Sequence, residues 1–136
     1  KRNRPLRSVS FQSSPTISFF TRLFGTFAAP SPAAMSAAKT KAQKLIDENA
    51  VVVFSKSYCP YCTTSKSLLN SFDAKFTLVE LDQIDDGSAI QDALNEISGQ
   101  RTVPNIWIKQ KHIGGNSDLQ NVKAQLPQLL KDAGAL

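Results

Sequence analysis

The fold of this chain is decided by the stretch Val51-Val52-Val53-Phe54-Ser55-Lys56-Ser57-Tyr58-Cys59-Pro60-Tyr61-Cys62. Its first five residues form a run that is too short, and too rich in β-branched valine, to be a helix, which predicts a buried strand. Pro60 suits the first turn of a helix, where its missing N–H costs nothing, so a helix is predicted over 60–72. Both thiols then share the first helical turn, where free backbone N–H groups and the helix dipole favour a thiolate.

The hydrophobic pattern of the following residues predicts an α/β fold. Helices are expected over 36–49, over 86–97 with Gly99 closing the last turn, and over 117–131 with Pro127 dividing it. Strands are expected over 76–81, 105–108 and 111–113. A crossover helix makes its two strands parallel, and a tight turn at Lys109-Gln110 makes the last two antiparallel. The predicted architecture is a four-stranded mixed sheet with helices on both faces.

Charge is distributed unevenly along the 136 residues, whose formal net charge is +5. Residues 1–35 hold five basic residues and no acidic one, which leaves 11 basic against 11 acidic residues in 36–136. The second part is therefore neutral and has no basic stripe, which argues against nucleic-acid binding. No apolar run approaches the roughly 20 residues of a membrane-spanning helix, so no membrane partner is expected.

Residues 1–35 have the composition of an organellar transit peptide, because they are rich in Arg and Ser, lack acids and carry scattered apolar residues. The alternative is a disordered tail without a targeting role. Residues 28–34 predict a flexible joint before a domain over 36–136. Met35 is the only methionine. A mitochondrial protein is predicted, with a second, cytosolic form that starts near Met35.

The Cys59-Pro60-Tyr61-Cys62 motif allows three interpretations: redox chemistry, half of a zinc site, or a structural disulfide. Zinc needs four ligands, and the only other soft ligand is His112, so no metal is expected. A structural disulfide would stabilise the fold little, because it would close a very short loop. The predicted leader also indicates a reducing compartment, where structural disulfides are rare. The position of the motif between a strand and a helix favours redox chemistry.

Three segments together resemble one family. The stretch 52–62 resembles the active site of dithiol glutaredoxins of the Cys-Pro-Tyr-Cys class, of a fungal-like kind. The other two segments resemble the remaining signatures of that family, in the right order: Gly99-Gln100-Arg101-Thr102-Val103-Pro104 and His112-Ile113-Gly114-Gly115-Asn116-Ser117-Asp118-Leu119. The resemblance covers about residues 40–134 and implies a thioredoxin-like fold, with a cis peptide bond before Pro104.

The resemblance implies a glutathione-dependent thiol–disulfide oxidoreductase. Cys59 would attack glutathionylated proteins or disulfides, and Cys62 would resolve mixed disulfides with proteins. Glutathione would be the co-substrate and glutathione reductase an indirect partner of a monomer. The family's glutathione-binding positions fall on Lys56, Tyr61, Gln91, Arg101, Thr102, Val103, Pro104, Gly115, Asn116, Ser117 and Asp118.

Simpler roles remain open for several of these residues. Lys56 can be an ordinary solvated lysine, and Ser117 or Asp118 a plain helix N-cap. His112 is interpreted as structural. Two other activities are also considered: binding of a [2Fe–2S] cluster between two subunits, against which Pro60 argues, and a thioredoxin reduced by a flavoenzyme, against which the Pro60-Tyr61 pair argues.

Overall fold

The computed structural model describes residues 31–136. The helices are α1 (Pro32–Glu48), α2 (Pro60–Ser71), α3 (Gly87–Ser98), α4 (Asn116–Asn121) and α5 (Leu126–Asp132). The strands are β1 (Val51–Ser55), β2 (Thr77–Glu80), β3 (Asn105–Ile108) and β4 (Lys111–Gly114). A short 3-10 turn over Leu81–Gln83 follows β2. Within this part of the chain, no helix is long and apolar enough to cross a membrane.

The four strands form one sheet in the order β2-β1-β3-β4, which confirms the predicted mixed topology. β1 pairs in parallel with β2 and antiparallel with β3, and β3 pairs antiparallel with β4. All five residues of β1 are buried, as expected for a central strand covered on both faces. The carboxyl end of β1 leads directly into the cysteine motif.

Helices cover both faces of the sheet. The side chains of β1 alternate between the two faces and so contribute to both of the hydrophobic cores that lie between the sheet and the helices. Val52 and Phe54 pack with α1 and α3, whereas Val51 and Val53 pack with α2, α4 and α5. The first core contains Ile46 of α1. This three-layer arrangement buries β1, and the cysteine motif follows at the carboxyl end of this central strand, where the sheet stops.

Helix α1 begins earlier than the sequence pattern predicted, at Pro32 rather than Ser36. The Ser31 hydroxyl accepts a hydrogen bond from the Ala34 N–H at 3.1 Å, and Pro32 occupies the first turn. Ser-Pro is a common helix start, so residues 32–34 of the predicted joint are helical. The rest of the predicted leader, residues 1–30, lies outside the described residues.

The β3–β4 hairpin turns through Lys109 and Gln110 with φ values of 48° and 65°. Both residues therefore adopt the left-handed region that a two-residue hairpin of type I′ requires, although neither is Gly or Asn. In the helical C-terminal part, a turn over 122–125 separates α4 from α5. Pro127 lies in the first turn of α5, so the predicted division is confirmed.

Candidate active site

Cys59 is the N-cap residue of α2, and its sulfur is held at the start of that helix. The Cys62 N–H donates to Cys59 Sγ at 3.3 Å, and the thiol of Cys59 faces the Val103 carbonyl oxygen at 3.9 Å. A backbone N–H aimed at sulfur stabilises a thiolate, as does the N-terminus of a 12-residue helix. Cys59 is partly exposed, so a disulfide can reach it.

Cys62 has the opposite environment, although it lies one turn further along α2. Its side chain is fully buried, and this burial is the main cause that raises the pKa of the Cys62 thiol. A hydrogen bond with Cys59 raises it further, against the opposing effects of the Lys56 backbone and Ser55. Burial therefore favours the neutral thiol form of Cys62, behind the partly exposed Cys59.

The loop over residues 100–104, which precedes β3 and which we call the cis-proline loop, lies against Cys59. Its Val103–Pro104 peptide bond is cis, as the resemblance implied. The carbonyls of Thr102 and Pro104 both accept from the Gln100 side-chain amide, at 3.0 and 2.9 Å. This arrangement leaves the Val103 carbonyl facing the sulfur.

A cleft of about 330 Å³ opens beside this loop. One wall is the cis-proline loop, the other is the start of α4, and Tyr61 of α2 flanks both. We call it the Ser117 cleft; its lining residues are Tyr61, Thr102, Val103, Pro104, Gly115, Asn116 and Ser117. Every one of them belongs to the predicted glutathione-binding set.

A second cleft, of about 320 Å³, lies on the side of Lys56. We call it the Lys56 cleft; it is lined by Lys56, Tyr58, Leu81, Asp82, Gly87, Ser88, Gln91 and Arg101. Four predicted glutathione-binding residues do not line the Ser117 cleft. Three of them, Lys56, Gln91 and Arg101, line the Lys56 cleft, and the fourth is Asp118. The Cys59 N–H donates to the Lys56 carbonyl at 3.1 Å, which connects this cleft to the motif.

Gln91 and Arg101 line the Lys56 cleft, but their side chains already make internal contacts. Gln91 is only 7% exposed, and its amide nitrogen donates to the Arg101 carbonyl at 2.8 Å. The Arg101 guanidinium pairs with Asp92 at 2.9 Å. Gln91 therefore supports the loop, and the cationic side chains of Lys56 and Arg101 supply the positive charge in this cleft.

Asp118 lines neither cleft, and it is not the N-cap that the simpler interpretation allowed. Gly115 is the N-cap of α4, and its N–H donates to the Asp118 carboxylate at 2.9 Å. Gly114 has φ 120°, and a Cβ there would lie 2.3 Å from the Asp118 carboxylate, so glycine is required. Asp118 thus fixes the wall that carries Ser117.

Asn116 connects this wall to the active-site helix. Its side-chain oxygen accepts from Ser65 Oγ at 2.9 Å and from Gln120 Nε2 at 3.3 Å. Ser65 is fully buried on α2, one turn after Cys62. Ser65 is not among the predicted site residues, although a serine at a core-facing position of an amphipathic helix is a recognisable signal.

Asp82 supports the other side of the motif and was also missed. It accepts from the backbone N–H of Ser57 at 2.9 Å and from the Ser57 hydroxyl. These two hydrogen bonds, the hydroxyl contributing most, hold the pKa of the Asp82 carboxyl below its usual value, with a smaller contribution from the Lys56 charge. Ser57 and Asp82 are 25 positions apart in the sequence, so no local sequence pattern predicts their contact.

His112 lies on β4 away from the cysteines and packs on Trp107, with ring centroids 4.8 Å apart. Partial burial lowers the pKa of His112, and the nearby Asp118 carboxylate opposes that effect. The structural role predicted for His112 agrees with this position, and Trp107 is a sheet residue of β3.

Comparison with known proteins gives consistent results. The Glutaredoxin family model matches residues 51–113. A glutaredoxin of Ricinus communis is 54% identical over 101 residues, which cover 73% of this chain and 99% of that protein. Glutaredoxin-C2 of Arabidopsis thaliana is 50% identical over 101 residues, covering 73% and 91%. These relatives are plant proteins, so the predicted likeness to fungal members finds no support in them.

Among solved structures, the chain resembles the buckwheat glutaredoxin–glutathione complex. The TM-score is 0.77 with 43% identity, and the match covers 79% of this chain and 99% of the other. That protein has the thioredoxin-like arrangement of a mixed sheet between helices, which this chain shares. On its sequence, its fold and its cysteine motif, the chain belongs to the glutaredoxin family.

Proposed function

We propose that the protein is a dithiol glutaredoxin that reduces glutathionylated proteins, and low-molecular-weight or protein disulfides, at the expense of glutathione. The observation that carries the proposal is the position of Cys59. Its sulfur accepts the Cys62 N–H at the start of α2 and faces the Val103 carbonyl at the wall of the Ser117 cleft. A nucleophilic sulfur is thereby placed beside a site large enough for part of a tripeptide.

The first step is attack of the Cys59 thiolate on the glutathione sulfur of a glutathionylated protein. The new bond joins Cys59 to glutathione, and the protein leaves as a thiolate that takes up a proton. A second glutathione, as thiolate, then attacks the sulfur of the bound glutathione. Glutathione disulfide is released, and the Cys59 thiolate is restored. Cys62 is not needed in this cycle.

Protein disulfides require Cys62. Attack by the Cys59 thiolate breaks the substrate disulfide, forms a mixed disulfide with one of its sulfurs and releases the other as a thiolate that is protonated. Cys62 then loses its proton and attacks the Cys59 sulfur, and the substrate's second sulfur leaves as a thiolate and is protonated. Two glutathione molecules reduce the resulting 59–62 disulfide and leave as glutathione disulfide. Because burial raises the pKa of the Cys62 thiol, this cysteine stays protonated until it is needed.

The two clefts offer different groups to the two ends of glutathione: hydrogen-bond donors in the Ser117 cleft and cationic side chains in the Lys56 cleft. In the Ser117 cleft, the Ser117 hydroxyl and the backbone N–H groups of the Asn116 region are suited to the γ-glutamyl carboxylate, with Asp118 nearby for its ammonium group. In the Lys56 cleft, Lys56 and Arg101 are suited to the glycyl carboxylate. The buckwheat glutaredoxin that this chain resembles was crystallised with glutathione.

The proposal is tested by an assay of glutathione release from a glutathionylated peptide, with glutathione as reductant. Wild type is compared with Cys59→Ser and Cys62→Ser. We expect Cys62→Ser to keep this activity and Cys59→Ser to lose it. A parallel reaction with a thioredoxin-reducing flavoenzyme in place of glutathione should be slow. Activity retained by Cys59→Ser would overturn the assignment of the nucleophile.

We also propose that the protein acts as a monomer in mitochondria, with a second, cytosolic form that starts near Met35. The first core-facing residue of α1 is Ala38, so a chain starting at Met35 keeps every residue by which α1 contacts the core. Fluorescent fusions of the chain with and without residues 1–34 would test the compartments. The same distribution for both fusions would contradict the targeting role.

A further inference from the structure

The carbonyl groups of the cis-proline loop differ in their hydrogen-bond partners. Three of the four carbonyls over 101–104 accept hydrogen bonds from glutamine side chains: Arg101 from Gln91 at 2.8 Å, and Thr102 and Pro104 from Gln100 at 3.0 and 2.9 Å. The fourth carbonyl, that of Val103, faces Cys59 Sγ at 3.9 Å. The glutamine contacts thus orient the one peptide group that faces the nucleophile.

The backbone of Gln100 is held in place by two hydrogen bonds of its own. Its N–H donates to Ser98 Oγ at 3.2 Å, and its carbonyl accepts from Asn105 Nδ2 at 3.2 Å. Ser98 Oγ donates in turn to the Leu94 carbonyl within the last turn of α3, at 2.7 Å. Gln100 is therefore attached to the end of α3 and to the start of β3, the two elements that the loop joins.

The Gln100 amide also lies near the opposite wall of the Ser117 cleft. A Cβ added to Gly115 would be 3.8 Å from the Pro104 carbonyl oxygen and 4.0 Å from Gln100 Nε2. Gln100 thus lies where the cis-proline loop meets the start of α4, and a shift of its side chain would reach both walls.

We propose that Gln100 is a positioning residue for the glutathione moiety of the substrate. Its amide nitrogen donates to the carbonyls on both sides of Val103 and so orients the Val103 peptide group toward Cys59 and the cleft. The inference rests on the proposed glutathione-dependent function. A primary amide is suited to this role because its one nitrogen carries two N–H donors, whereas a carboxylate has none.

The substitution Gln100→Glu keeps size and shape but replaces both donors with an anionic acceptor that repels the two carbonyls. We expect KM for a glutathionylated peptide to rise about tenfold, with kcat changed much less, because the interaction lost serves binding. The same peptide carrying mercaptoethanol in place of glutathione should be reduced at the wild-type rate. Alkylation of Cys59 by iodoacetamide should also be unchanged.

Two further variants complete the test. Gln125→Glu is the matched control, since Gln125 is exposed at the start of α5, and it should behave as wild type. Gln100→Arg restores N–H donors and should recover part of the lost affinity. If Gln100→Glu fails to fold by circular dichroism, Gln100→Met, which is uncharged and of similar length, takes its place with the same expected change in KM.

The outcomes separate the inference from the proposed function. An unchanged KM in Gln100→Glu, or an equal loss of rate on the glutathione and mercaptoethanol peptides, would overturn the inference alone. The second result would show that Gln100 only stabilises the fold. A wild type that does not prefer the glutathionylated peptide would overturn the proposed function, and the inference with it.

Discussion

Cys59 and Cys62 are separated by one helical turn, and the difference between them arises from their surroundings. Cys59 is partly exposed at the N-cap, whereas Cys62 is fully buried beneath it. The resemblance to dithiol glutaredoxins predicted Cys59 as the nucleophile and Cys62 as the resolving cysteine. The sequence could not show how completely Cys62 is enclosed, because that depends on how α2 packs against the sheet.

The two thiols should therefore differ in their rates of alkylation. In the reduced protein at pH 7, we expect iodoacetamide to modify Cys59 at least about tenfold faster than Cys62, because a buried thiol with a raised pKa is rarely a thiolate. Peptide mapping by mass spectrometry after partial reaction measures both rates. Equal modification of the two cysteines would contradict the assigned environments.

His112 gives a prediction about pH. The His112 side chain is largely exposed, but partial desolvation of its ring lowers its folded-state pKa below the ordinary value of 6.5, so near that pH the unfolded chain binds a proton more readily than the folded protein does. Stability contributed by neutral His112 is present above pH 6.5 and is lost as pH falls through the folded-state pKa. Urea unfolding at pH 7.5 and pH 5 should show a larger loss for wild type than for His112→Gln. An identical loss in both proteins would show that His112 is not responsible.

Among the elements, α2 and β2 are joined by the ion pair of Lys66 and Glu80, whose atoms are 2.9 Å apart. The two side chains are only 20% and 14% exposed, and Glu80 Oε2 is buried without a hydrogen-bond partner. Removal of the cation leaves a largely desolvated carboxylate. The cost of breaking such a pair is much larger than the cost of breaking an exposed one.

We expect Lys66→Met to lower the free energy of unfolding by about 2 kcal/mol at pH 7. The matched control is Lys44→Met, which breaks the pair with Glu48, whose side chains are 68% and 61% exposed. That variant should stay within about 0.5 kcal/mol of wild type. Urea unfolding measures both, and a similar change in the two variants would contradict the importance of burial.

The hairpin turn offers a stabilising change. Lys109 and Gln110 both have positive φ, which is unfavourable for these side chains and readily adopted by Asn-Gly. The double variant Lys109→Asn, Gln110→Gly should raise the free energy of unfolding by about 1 kcal/mol. Lys75→Asn, at a position without positive φ, is the control and should not stabilise. A destabilised double variant would show that the Gln110 contact with the Asp47 carbonyl matters more.

Elements with strong local signals were predicted from the sequence. Strand β3 has the predicted limits, and Gly99, with φ of 77°, closes α3 as expected, directly after the last helical residue, Ser98. The start of α1 was placed too late because the Ser31-Pro32 signal lies inside a stretch whose composition is that of a linker. The conformation of the hairpin turn could not be predicted, since Lys and Gln do not indicate positive φ.

At the scale of the whole molecule, the sheet brings together segments that lie far apart in the chain. The motif at 59–62, the loop at 100–104 and the start of α4 meet at one edge of the sheet. The family resemblance identified these segments, and their meeting is a consequence of the predicted topology. The supporting contacts of Gln100, Ser65 and Asp82 could not be predicted, because each depends on a side-chain geometry that only tertiary packing defines.

The central claim is that Cys59 alone accepts glutathione. It is tested most directly by mixing reduced Cys62→Ser protein with a glutathionylated peptide in the absence of free glutathione. The protein's intact mass and its modified residue are then measured by mass spectrometry. The proposed mechanism predicts one glutathione per chain, attached to Cys59, together with an equal amount of released peptide thiol. Unmodified protein, or the same transfer to the Cys59→Ser variant, would contradict it.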